Sequence, residues 1–175
     1  MALDATISGV SANTYQTDVQ FLAYGTGSLA SARLTASTTD TRERALRTAT
    51  RMIDRLSFEG YATVIAQALQ WPRYTVYDPD RWGQVLDYYS IPRRIREATC
   101  ELALALLAEG QVSPDGGLTD ASQYVKAKVD VIEVEYRQGV AAQTDATGLL
   151  RRYPAVFALL APLLVGAGAL EVARA

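Results

Sequence analysis

Histidine is absent from this 175-residue chain, which removes the commonest general base and the commonest metal ligand. Cysteine occurs once, as Cys100 in the apolar run "ATCELALALLAEG". An internal disulfide and a cysteine-rich zinc site are therefore excluded, and the lone thiol reads as a small buried hydrophobe. Lysine is nearly missing: of 17 basic residues only Lys126 and Lys128 are lysines, and the 19 acidic residues leave a formal charge of −2. A general nucleic-acid binder carries a cationic surplus, because phosphate neutralisation dominates its affinity. This chain has none, although its arginines suit fixed, bidentate or stacked contacts.

Catalytic patterns are also missing. Asp78 and Asp80 in "YDPDR" are two carboxylates two positions apart, without the glycine and ligand spacing of a calcium loop. No glycine motif cradles a phosphate, and "GTG" at Gly25 leads from no strand into no helix. The expectation is a non-enzymatic chain without metal or cofactor, working by structure or binding. The N-terminus "MALDATISGV" shows no basic region followed by a long apolar stretch, so no secretory signal is expected. The one long uncharged run, Tyr153 to Leu170, is broken by Pro154, Pro162, Gly166 and Gly168. It reads as a buried or interface helix rather than a membrane span.

What is present is helical. A hydrophobic content of 49% is enough for one packed domain. "TDVQFLAY" opens with Thr17 as cap and Gln20 at the matching box position, and "LASARLTAST" after it reads as a loop. "DTRERALRTATRMIDRLSF" is the best-defined helix, with Asp40 as its expected cap and Leu46, Ala49, Met52, Ile53 and Leu56 on one core-facing stripe. Arg44, Arg47, Arg51 and Arg55 form a second stripe. It is either a solvated face paired with Glu43 and Asp54, or a surface facing a channel, DNA or an acidic partner.

"YATVIAQALQ" reads as a short helix or strand that Pro72 stops. Trp71, Tyr74, Tyr77 and Trp82 are interleaved with Arg73 and Arg81. Pinning of a long loop onto the core is the favoured reading of these aromatics, and a base-stacking platform is the other. "SIPRRIREATCELALALLAEG" predicts a central helix opened by Pro92 and closed by Gly110. "KVDVIEVEYRQG" alternates as a strand, with a phase slip at Val131–Ile132 that suggests a bulge. It has no strong partner elsewhere in the chain, which leaves pairing with "YATVI" and pairing with a neighbouring copy as the alternatives. Pro154 opens a last helix that Pro162 should kink; Phe157, Leu160, Leu163 and Leu164 should pack on the helix carrying Leu102 and Leu106. The fold class expected is mainly α: a small helical bundle with one β-strand or hairpin, around 126–137, used in subunit contacts.

Five stretches in order resemble one family. They are "SANTYQTDVQFLAY"; "ATRMIDRLSFEG" with "QALQWPR", carried by Asp54, Phe58, Gly60, Gln67, Leu69, Trp71, Pro72 and Arg73; "IPRRIREATCELALALL"; "VIEVEY"; and "RYPAVFALLAPLL". The chain is similar to the head-to-tail connector, or adaptor, proteins of tailed bacteriophages. Members of this family are also described as DnaT-like single-strand DNA-binding proteins. The family's usual Gly-Pro before the strand is replaced here by Asp130 and Val131.

The resemblance implies a virion neck protein, present in the host cytoplasm during assembly. It implies a homo-oligomeric ring of about 12 copies below the portal protein. Such a ring extends the DNA channel, passes DNA without sequence specificity and docks a tail or further neck protein. Val129, Val131, Ile132, Val134 and Tyr136 would then meet a neighbouring subunit or the portal. Trp71, Pro72, Tyr153 and Pro154 would be structural. The whole chain would form one adaptor domain with a docking arm from about residue 165, where Leu170 and Val172 would contact the portal or a neighbour. The alternative is a phage replication accessory protein that binds single-stranded DNA.

Overall fold

Thr17 starts the first helix as its spacing requires. The computed structural model describes residues 2–109 and 152–165, and in it α1 spans Asp18–Gly25. The Thr17 hydroxyl accepts from the Gln20 backbone at 3.2 Å, while Gln20 Oε1 accepts from the Thr17 backbone N–H at 3.0 Å. α1 ends against its neighbour: a Cβ added at Gly25 would lie 2.3 Å from Leu34 Cδ2. That contact explains a departure from the sequence reading. "LASARLTAST" is not all loop; Ser31–Ala36 form α2. Its start has no side-chain cap, but Leu34 is fully buried, so tertiary packing supplies what local propensity does not.

α3 spans Thr39–Asp54, and its cap is Thr38, whose hydroxyl accepts from the Thr41 backbone at 3.2 Å. Asp40 instead lies in the first turn and pairs with Arg44 at 2.7 Å. The predicted stripe of Leu46, Ala49, Met52, Ile53 and Leu56 is buried throughout. Arg42 is buried as well, an arginine that neither stripe predicted. It grips Asp18 of α1 bidentately at 2.7 and 2.8 Å and donates to the Ser37 carbonyl at 2.6 Å. The Asp18 hydrogen bonds raise its pKa above the ordinary value.

α4, Arg93–Glu109, is central: Ile95, Ala98, Cys100, Leu102, Ala103 and Leu106 are all buried, and it contacts α1, α2 and α3. It also contacts α5, Pro154–Leu160, which Pro154 opens with Tyr153 as cap. The kink expected at Pro162 is a 3-10 turn, Ala161–Leu163. Leu160, Leu163 and Leu164 are buried as expected, while Val156 takes the deep position expected of Phe157. "YATVIAQALQ" contributes only β1, Tyr61–Ala62, antiparallel to β2, Arg73–Tyr74; turns follow β1. Among the described residues the fold is mainly helical with this one two-stranded sheet, and no helix there is long and apolar enough to cross a membrane. The predicted strand around 126–137 and the segment carrying Leu170 and Val172 lie outside the described residues.

Candidate interaction surface

The residues that carry the resemblance converge on one buried knot. Asp54, at the end of α3, accepts hydrogen bonds from the Tyr15 hydroxyl and from the Gln70 backbone at 2.8 Å. The Gln70 side-chain amide donates to the carbonyls of Asp54 and Leu56. Arg73 reaches the carbonyls of Glu59 at 2.7 Å and Gly60 at 2.6 Å, and its guanidinium also meets Gln70 Oε1 at 3.0 Å. Trp71 is 1% exposed and meets Phe58 edge-on, with centroids 5.5 Å apart. Pro72 follows through a cis bond and is buried. Gln67 closes the turn by donating to the Leu69 carbonyl at 2.7 Å.

The C-terminal segment seals this knot. The Glu59 N–H donates to the Leu163 carbonyl and the Val165 N–H to the Ser57 carbonyl, each at 3.0 Å, around an antiparallel bridge of Phe58 with Leu164. These polar groups are directed at one another. The block therefore closes the fold and offers little to a ligand. Burial, followed by repulsion from Asp54, raises the pKa of Tyr15, so its hydroxyl stays a proton donor to that carboxylate.

The aromatics outside the knot behave differently. Of the four that the sequence reading grouped, only Trp71 pins the loop to the core. Tyr74 and Tyr77 are exposed, and Trp82 stands 102% exposed at the tip of a hairpin held by Leu86 N–H to Val76 O and Asp78 N–H to Gln84 O, each at 2.8 Å. Arg94 of α4 pairs with Asp80 and anchors that tip. Register places Tyr61 opposite Tyr74, hence on the same face of the pair. The Tyr74 ring lies 4.7 Å from Tyr88, and Tyr88 lies 4.2 Å from Tyr89. The result is a surface row of Tyr61, Tyr74, Tyr88 and Tyr89. The sequence reading missed three of its members. "DYYS" was its only visible trace; Tyr61 joins through strand register, which no local pattern announces.

The arginine stripe divides. Arg44 pairs with Asp40, and Arg47 is half-buried and pairs with Glu43 at 3.9 Å, whereas Arg51 and Arg55 are exposed. Asp54, an expected partner of the stripe, belongs to the knot instead. Across the described residues, Arg33, Arg42, Arg44, Arg47, Arg73, Arg81, Arg93, Arg94 and Arg152 all have a carboxylate or carbonyl partner. Of the arginines there, Arg51, Arg55 and Arg96 have none. Tyr153 is buried and its hydroxyl meets Glu109, which Arg152 also holds at 2.9 Å. Among the described residues no cluster of three or more His, Cys, Asp or Glu is placed to hold a metal ion. The predicted subunit contacts Val129, Val131, Ile132, Val134 and Tyr136, with Leu170 and Val172, fall outside the described residues.

A sequence model of the family described as "Putative DnaT-like ssDNA binding protein" matches residues 1–175. No curated protein and no solved structure matches the chain.

Proposed function

The chain belongs to the DnaT-like ssDNA binding protein family, and within it we propose that this member is a non-catalytic structural adaptor. It assembles as a ring at the phage head-to-tail junction, below the portal, and DNA passes through without being gripped. One observation carries this reading: the fold engages most of its described arginines internally, seven of them with its own carboxylates. Nine of the twelve among the described residues are held by carboxylates or carbonyls. A cation already paired with a carboxylate gains less from a phosphate backbone than a free one. The surface left over is rich in tyrosine with a tryptophan at a loop tip, a composition that suits protein contacts. The resemblance in the order and spacing of the five sequence blocks supports the same reading. The experiment is electron microscopy of the purified chain mixed with portal rings. The expected result is a second ring of matching symmetry below the portal; one to three copies per portal would refute the reading.

A second reading, single-stranded DNA binding, is favoured by the family's description and by the tyrosine row. Bases stack on exposed aromatic rings with little regard to sequence, at about 1–3 kcal/mol each. The two readings separate in a salt titration of a labelled oligonucleotide. The adaptor reading expects weak binding at physiological salt; tight binding that falls steeply with salt would put the second reading first.

A further inference from the structure

Resting on the adaptor reading, we infer that neighbouring subunits meet head to tail, the tyrosine row of one copy receiving Arg51 and Arg55 of the next. The described fold leaves the row open: Tyr61 is 75% and Tyr89 70% exposed. Two exposed carboxylates accompany it. Glu59 precedes Tyr61 by two residues and Asp87 adjoins Tyr88, and neither pairs with a cation among the described residues. Hydrogen bonds from Ser90 and from the Tyr89 N–H lower the pKa of Asp87 below its ordinary value. A surface of tyrosine rings bordered by carboxylates suits arginine, whose planar guanidinium stacks on aromatic faces and pairs bidentately with carboxylates.

The same chain exposes the complement. Arg51, in the last turn of α3, and Arg55, its C-cap residue, are exposed and have no partner among the described residues. Two rows pressed together in an isologous dimer would bring Glu59 and Asp87 against like charges, which opposes association. A heterologous contact, row to stripe, avoids this and generates rings when its rotation closes. A phosphate backbone fits the row less well, because the charges beside it are negative.

The test uses two full-length variants, Tyr89→Glu for the row and the pair Arg51→Glu, Arg55→Glu for the stripe. Circular dichroism verifies that each keeps the wild-type helical signal, as exposed positions outside the core should. In sedimentation velocity the wild type should self-associate with rising concentration, and each variant should do so roughly tenfold more weakly or worse. Mixed in equal amounts, the two variants retain one intact row and one intact stripe between them, so they should form a one-to-one pair and stop. Variants that associate like the wild type, or a mixture that does not pair, would overturn this contact while the portal micrograph still judged the adaptor reading separately. A wild type that stays monomeric to millimolar concentration would also overturn it. So would a Tyr89→Glu chain that loses oligonucleotide binding but associates normally, which would assign the row to unpaired bases.

Discussion

Gly60 is the residue on which the knot turns. Its φ of +72° lies in the left-handed region, and a Cβ there would sit 2.0 Å from the Tyr74 carbonyl oxygen. That oxygen belongs to β2 and cannot swing aside like a flexible side chain. Gly60→Ala should therefore cost at least about 2 kcal/mol, combining backbone strain with displacement of the strand pair; urea unfolding would measure it. Asp54→Ala should be similarly costly, since it leaves the Tyr15 hydroxyl and the Gln70 N–H without their acceptor. Cys100 makes a different point at the same scale. Burial pushes its thiol pKa up to about 12, so it should resist alkylation at pH 8 in the folded chain and react once urea has unfolded it.

At the scale of elements, caps separate what the sequence displays from what it hides. Thr17 and Gln20 form their box as spacing predicts, because that interaction is local. The expected cap of α3 was Asp40, and the structure places the cap two residues earlier, at Thr38. Thr38→Ala should lower stability by about 1 kcal/mol. Asp40→Ala, which removes only an exposed ion pair with Arg44, should change it by less than about 1 kcal/mol. Thermal unfolding of the two variants side by side measures the difference. α2 was illegible for the opposite reason: its helicity comes from burying Leu34 against Gly25, a contact between elements. The buried face of α3 was legible because apolar periodicity is itself the packing pattern, and the central place of α4 because a helix apolar nearly all round must be covered on most sides. The tyrosine row was not, because it depends on strand register and on a loop returning to α4. The Arg42–Asp18 pair was equally hidden, since nothing local distinguishes Arg42 from the stripe beside it.

For the whole molecule, the buried acids point to an alkaline limit. Burial is the first cause of the raised pKa of Tyr15, Tyr24 and Cys100; the Asp54 carboxylate adds to it at Tyr15, and Glu101, through its hydrogen bond, at Tyr24. A folded pKa above the unfolded one means that the unfolded chain loses its proton first as pH rises. The stabilisation from these groups is thus complete below their ordinary values of 9.0 for the thiol and 10.0 for the phenols. It is lost as pH climbs from there toward the folded values. The melting temperature, followed by helical signal across a pH series, should fall above about pH 9. Cys100→Ala should remove the earliest part of that fall, and Tyr15→Phe a later part.

The bridge of Phe58 with Leu164 also bears on how the chain is made. Its two halves are roughly a hundred residues apart in sequence, so the ribosome delivers the first long before the second. While synthesis proceeds, α1 to α4 have their own mutual contacts available, but the Ser57–Glu59 edge beside Trp71 waits uncovered. Only after residues 163–165 have cleared the exit tunnel does that edge acquire its partner. A nascent chain stalled short of this point should be cut readily by protease near Phe58, and one released past it should resist. Completion of the fold thereby waits on a segment made roughly a hundred residues after the edge it covers.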